Sequence, residues 1–348
     1  MTYQVVGLDV GHSAVKMTYE GENGAVSRAL FSALACPAFT LTNAMEAQRA
    51  KADTVEFDGL SYFVGETARL QGQAELPVGL RDNWIETREH AALLAMSAKV
   101  AQEHGKKGLP RLWVLGLPVV QFARDRDHLG AIAERYLPRG DRIKIMQQPD
   151  AAYYARIYTR DGLPAPGVTP ENEAWAVIDI GYYTTDFVIY ERGRYIEAAA
   201  GRHNGMRSVV EVIQREMALA GVERSIVEIE EALPRGSLID RGQIFDFSKI
   251  ANQSIDYFTS KIIEEASRLM GRRLNALNGI LVAGGGAPLA IESFRKVWPH
   301  AQLARDEFHS DAKDGSAMHG PRFVISEGYF RYGKSLLLLE QYAKGGAL

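Results

Sequence analysis

The chain has 348 residues, 46% hydrophobic and 24% charged, which is a globular composition with length for about two domains. Its 40 Lys and Arg against 43 Asp and Glu leave a formal charge of −3, so direct nucleic-acid binding through a broad basic face is not expected. A single cysteine, Cys36, excludes an internal disulfide and a Cys-based zinc site, and points to a reducing, cytoplasmic setting.

The N-terminus enters a strand-like pattern at once, without the basic n-region of a signal peptide. The longest apolar stretch, Leu112 to Val120, is about half the ~20 residues of a spanning helix, so no membrane partner is expected. Residues 3–9 form a short apolar run ending in Asp9. Gly11-His12-Ser13, a second run over 15–19, a Gly21–Gly24 turn and a third run over 25–34 complete an antiparallel meander. A helical stripe of Ala91, Leu94, Ala95, Ala98 and Val100 predicts a helix over about 86–103. Strands are predicted over 111–119 and 141–146, and helices over 122–136 and 151–158.

Residues 161–170 hold Pro164, Pro166 and Pro170 with Gly162 and Gly167, which reads as a linker. Beyond it come a strand over 174–179, the segment Gly181-Tyr182-Tyr183-Thr184-Thr185-Asp186, and a strand over 187–190. The turn Arg192-Gly193 and a strand over 194–200 follow. Helices near 205–220 and 248–271, a strand over 279–283 and a closing helix near 326–343 complete the pattern.

The two halves open alike. Val6-Gly-Leu-Asp9-Val-Gly11 begins the first and Val177-Ile-Asp179-Ile-Gly181 the second, each a strand ending in an acid, a glycine loop and a returning strand. A repeat of half the chain is a duplicated domain, far longer than a solenoid period. Glycine at such a turn lets backbone N–H groups approach an anion. Asp9 and Asp179 would repel a bare phosphate, but make sense if Mg²⁺ sits between carboxylate and phosphate. Seven residues beyond each acid stand Lys16 and Asp186, and that odd spacing across a tight hairpin returns the side chain to the face of the acid. A third element, the strand over 279–283 followed by Gly284-Gly285-Gly286, is a strand–glycine turn–helix arrangement suited to the adenosine side of a nucleotide cleft.

With Gln148-Pro149-Asp150 before the second hairpin, Gly201-Arg-His-Asn-Gly205-Met entering a helix, and Ser326-Glu-Gly-Tyr-Phe-Arg-Tyr-Gly333 near the end, the chain resembles the actin/sugar-kinase/heat-shock-chaperone ATPase superfamily. Within it the chain most resembles the ParM/StbA plasmid-segregation actins. That resemblance implies an actin-like α/β fold of two similar domains with mixed five-stranded sheets. Domain I would be 1–160 with 326–348, domain II 171–325, and the linker 161–170. It implies ATP or ADP with Mg²⁺ held through water by Asp9 and Asp179, and Gln148 orienting the attacking water. Gly11, His12, Ser13, Lys16, Gly181, Tyr182, Tyr183, Thr184, Gly205, Gly284, Gly285 and Gly286 would contact the nucleotide. It further implies a head-to-tail filament with copies of itself and a DNA-binding, ParR-like adaptor.

Tyr182 and Tyr183 are a departure, since many superfamily members carry Gly-Gly or Gly-Gly-Thr there. A small-molecule kinase with Asp186 as base and an MreB-type cell-shape actin are the alternatives. Gly328-Tyr-Phe-Arg-Tyr-Gly333-Lys334-Ser335 matches a P-loop literally, but too little chain follows to complete a P-loop domain, so it is expected to be a helix packed on the first domain.

Overall fold

The computed structural model describes residues 3–72, 83–305 and 320–345. Two compact units emerge: Met1–Val168 with Arg305–Leu348, and Thr169–Ala304. The segment 161–168, expected as linker, groups with the first unit, where Leu163 and Pro164 turn back on Thr159 and Tyr158. Residues 320–325, expected in the second domain, open a helix of the first. Residues 306–319 of that expected domain lie outside the described residues.

The first unit starts with the predicted meander, β1 (Gln4–Val10), β2 (Ala14–Glu20) and β3 (Val26–Ser32). A region without strong sequence periodicity then builds β4 (Ala35–Pro37), helix α1 (Ala44–Ala50), β5 (Thr54–Phe57), β6 (Leu60–Val64) and α2 (Gly65–Gln71). Its strands pair as a separate three-stranded sheet in the order β4-β6-β5. Helix α3 (Arg88–His104) begins where the Thr87 hydroxyl caps the His90 N–H at 3.1 Å. Then come β7 (Arg111–Leu117), α4 (Val119–Tyr136), β8 (Arg142–Gln147) and α5 (Gln148–Ile157), the last with Pro149 where a missing N–H costs nothing. The main sheet runs β3-β2-β1-β7-β8, with β1, β7 and β8 parallel.

In the second unit β9 (Ala174–Ile180) and β10 (Thr184–Glu191) repeat the opening hairpin. The expected strand over 194–200 is instead broken into β11 (Arg194–Tyr195), a 3-10 turn at Glu197–Ala199, and β12 (Gly201–Asn204). Both fragments pair with β10, at its two ends, so the second sheet has six strands in the five positions of the first. In the 3-10 turn Ala199 is fully buried in the core of the unit, and beyond it Gly201 lies against the Leu269 side chain, where a Cβ would come to 2.6 Å. Helix α6 (Arg207–Leu219), α7 (Ile226–Ala232), the hairpin β13 (Ser237–Asp240) and β14 (Gln243–Asp246), and α8 (Ser248–Met270) follow. The unit closes with β15 (Gly279–Ala283), α9 (Ala287–Val297) and β16 (Ala301–Leu303), β15 lying parallel to β9 and β16. Each unit has its own core, around Trp113, Leu93 and Met17 in the first and Phe187, Phe247 and Phe294 in the second.

The C-terminal helix α10 (Gly320–Ala343) covers the whole P-loop match. Its glycines are contact points: Gly328 meets the Ala151 backbone, and Gly333 the side chains of Val5 and Val114. On the same helix Glu327 is fully buried, with Arg331, Arg160 and Arg28 at 2.9, 2.8 and 3.2 Å. Burial alone would raise this carboxyl, but the three guanidiniums hold it below the usual range. The P-loop reading is therefore excluded, and the helix is a scaffold of the first unit.

Candidate functional site

The two hairpins have one register. Asp9 stands directly opposite Lys16 and Val10 opposite Val15, while Asp179 stands opposite Asp186 and Ile180 opposite Thr185. Directly opposed residues point to one face of a sheet, so the seven-residue spacing does return the second charge to the face of the acid. In each case a three-residue loop starts with glycine: Gly11-His12-Ser13 before Ala14 of β2, and Gly181-Tyr182-Tyr183 before Thr184 of β10. A Cβ on Gly11 would come to 2.9 Å from the Ala14 carbonyl, and one on Gly181 to 3.0 Å from the Thr184 carbonyl. The same close approach therefore calls for glycine at both sites.

In the first unit Lys16 Nζ donates to Asp9 Oδ2 at 3.1 Å, and Asp9 is 5% exposed. The loop is tied to the residue just past β3 by the Ala33 N–H, which donates to the Ser13 carbonyl at 3.0 Å. His12 stacks on Trp84, with ring centroids 5.0 Å apart. Burial, reinforced by Lys16, lowers the His12 pKa from 6.5 to about 4, so its imidazole is neutral near pH 7. Gln148 opens α5 directly after β8, at the carboxyl edge of the parallel strands from which the first hairpin also springs. Loops at that edge are where ligands bind in α/β sheets.

The second unit gathers three of the predicted segments. The N–H groups of Gly205, Met206 and Arg207 donate to the carbonyls of Tyr183, Gly181 and Tyr182 at 2.8, 3.0 and 2.8 Å. The tip is thus clamped from behind through its carbonyls. Gly205 has no room for a side chain, since a Cβ would lie 2.5–2.7 Å from Tyr182, Gly181 and Thr184 backbone atoms. From the other side the Gly286 N–H donates to the Ile180 carbonyl at 3.1 Å. Gly284 has a φ of +85°, and its Cβ would meet Asp179 Oδ1 at 2.5 Å. Gly285 faces open space. Asp179 and Asp186 are each 2% exposed, and the Thr184 hydroxyl donates to Asp186 Oδ2 at 3.0 Å.

The two tyrosines do not crowd one spot. Tyr183 accepts from Arg207 Nη1 at 2.6 Å and lies under its guanidinium, while Tyr182 packs edge-on against Tyr183. Burial raises both phenols above their ordinary value, so both stay protonated. Arg207 and Trp84 escaped sequence reasoning. Arg207 had a visible cue, since it opens a helix straight after the Gly205 loop; Trp84 lies outside any motif.

Among the described residues no three His, Cys, Asp or Glu side chains gather as a metal site, and no helix is long and apolar enough to cross a membrane.

Residues 7–137 match the family "Actin like proteins N terminal domain", and residues 177–296 match "Archaeal actin homologue MreB-like, C-terminal". No curated protein matches the chain. Among solved structures, a 15-stranded ParM filament from Clostridium botulinum superposes with a TM-score of 0.74 at 19% identity, over 96% of this chain and 99% of that one. An archaeal actin homologue in complex with ADP gives 0.68 at 17%, over 95% and 99%. Bacillus thuringiensis ParM with ATP gives 0.61 at 13%, over 98% and 100%. Two actin-like domain matches in chain order, on a ParM-type fold spanning nearly the whole length, identify this chain as an actin-like protein.

Proposed function

We propose that this protein is a filament-forming ATPase that binds Mg-ATP through its two hairpins and couples hydrolysis to head-to-tail assembly. The observation that carries the reading is the repeated register: a buried acid at the base of a glycine loop, twice, at the carboxyl ends of parallel strands. The two units then correspond to actin-like domains I and II.

In this reading the loop amides of Gly11–Ser13 and Tyr182–Thr184 take the phosphates, while the Gly181 N–H closes its turn on the Thr184 carbonyl at 2.8 Å and Lys16 adds a positive charge beside the phosphates. Gly284, Gly285 and Gly286 leave room for the adenosine, with Gly205 holding the second loop in shape. Asp9 and Asp179 hold a hydrated Mg²⁺, which neutralises phosphate charge. Gln148 orients the attacking water, work that needs alignment more than a strong base. The filament and nucleotide complexes of the ParM and archaeal structures support this reading. A heterologous contact between copies propagates instead of closing, and nucleotide state would select the conformation that fits the next copy. Plasmid DNA would be reached through an adaptor, in keeping with the charge of −3. The burial of Asp186 against Asp179 disfavours it as a kinase base for an incoming substrate.

Sedimentation and light scattering with Mg-ATP, Mg-ADP and no nucleotide test the proposal. Pelleting that appears with Mg-ATP and decays as phosphate is released is the expected result. A chain that stays monomeric under ATP and a non-hydrolysable analogue overturns the filament reading. Gln148→Ala is expected to keep nucleotide binding and slow phosphate release by about a hundredfold. Hydrolysis at the parent rate would make Gln148 a helix-start residue only.

A further inference from the structure

The His12 ring at the tip of the first hairpin does not stand alone. It stacks on Trp84 at 5.0 Å and 28°, and Trp84 meets His90 edge-on at 5.6 Å and 79°. Trp84 opens a 3-10 turn at Trp84–Glu86, and its carbonyl accepts from the Thr87 hydroxyl at 2.8 Å. That same hydroxyl caps α3 by accepting from the His90 N–H. His90 is 3% exposed on the buried face of α3. The indole is therefore fixed by a capped helix, and the loop residue leans on it.

We propose that Trp84 is the positioning residue of the first hairpin: its indole sets the His12 ring, and with it the Gly11–Ser13 backbone, in the arrangement that accepts a nucleotide phosphate. This rests on the reading of that hairpin as a phosphate loop. The charged and titratable groups acting on the stack include Lys16 on β2, with its partner Asp9 on β1, and His90 on α3; Glu86, in the same turn as Trp84, pairs with His128 of α4 at 2.9 Å. Beside Lys16 a protonated His12 would add a second, repelling cation. Packed under the indole, His12 is instead a neutral N–H donor next to a single cation, a pairing that suits a phosphate oxygen.

A double-mutant cycle on the full chain tests this, using calorimetric titration with Mg-ATP on Trp84→Leu, Trp84→Phe, His12→Gln and the double variants. Trp84→Leu is expected to weaken Mg-ATP binding about tenfold, the scale of one lost aromatic stack. Trp84→Phe should recover most of that, because the ring remains. His12→Gln should add little once Trp84 is Leu, since the two act as one unit. If Trp84→Leu does not fold, judged by circular dichroism, Trp84→Met, which keeps bulk but removes the ring, replaces it in the cycle with His12→Gln and decides by the same non-additivity. A parent that binds Mg-ATP while Trp84→Leu binds equally well, or while the two effects simply add, overturns the positioning role alone. A parent that binds no Mg-ATP overturns the phosphate-loop reading and this inference together.

Discussion

The two hairpins share a backbone and differ in what surrounds it. Opposite the acid, the first places Lys16 and forms an ion pair, whereas the second places Asp186 and brings two buried carboxylates to one face. Behind the loop, the first has one backbone tie, from the Ala33 N–H to the Ser13 carbonyl, and the stack of His12 on Trp84, while the second is gripped through three carbonyls by the 205–207 backbone. The lesson is that a duplicated fold repeats register and glycine positions, because those are dictated by backbone geometry. Charge and support are left to each copy. In one hairpin the acid already has a cation beside it, whereas in the other it faces a second acid.

Substitutions at the supporting glycines should expose this difference most strongly. Gly205→Ala forces a Cβ against three backbone atoms of the second loop, and a loss of about 4 kcal/mol in stability is expected, with loss of Mg-ATP binding. Gly11→Ala faces only the Ala14 carbonyl and the flexible end of Lys16, so it should cost about 1 kcal/mol. Urea unfolding of both variants measures the contrast, and equal losses would mean the loops are supported alike.

Acid should separate the units next. His12 and His90 are held at about 4 and about 3, both below the ordinary 6.5, chiefly by burial. Between those values and 6.5 the unfolded chain binds more protons than the folded one, so stability is complete above about pH 6.5 and falls as the pH drops. For His12 the loss approaches about 3 kcal/mol once the pH reaches its folded value. His12→Gln should flatten part of that slope in melting curves taken across this range. An unchanged slope would show that His12 does not titrate as its burial requires.

The smallest effects test the sign of the cross-strand charge. Lys16→Met strands a nearly buried Asp9 and should destabilise by about 2 kcal/mol, discounted because Lys16 is partly exposed. Asp186→Asn removes one of two facing acids and should stabilise the nucleotide-free chain by about 1 kcal/mol. Chemical denaturation without nucleotide reads both, and a destabilised Asp186→Asn would show that the facing acids are compensated inside the fold.

Much of this site was legible because its parts obey local rules. Asp9, Gly11 and Lys16, and Asp179, Gly181 and Asp186, are joined by tight turns, where spacing alone decides which side chains face each other. The main strands and the helices over 88–104 and 248–270 followed from periodicity. The three-stranded sheet over 35–64 was not legible, as its strands of three to five residues are too short to show a period. The strand expected over 194–200 is interrupted by a 3-10 turn whose Ala199 enters the core of the second unit, a burial that no local pattern announces. The P-loop match, by contrast, was already set aside in the sequence because too little chain follows it, and the Ala151 backbone against Gly328 shows the packed helix expected there.

By itself, then, the sequence determined the duplication, the two glycine hairpins and the charge that each acid faces, since all three depend on neighbours a few residues apart. Tertiary structure decided which distant residues hold those hairpins in shape. Trp84 reaches His12 across 72 positions and Gly284 reaches Asp179 across 105, and such contacts are made by packing, which no local pattern encodes.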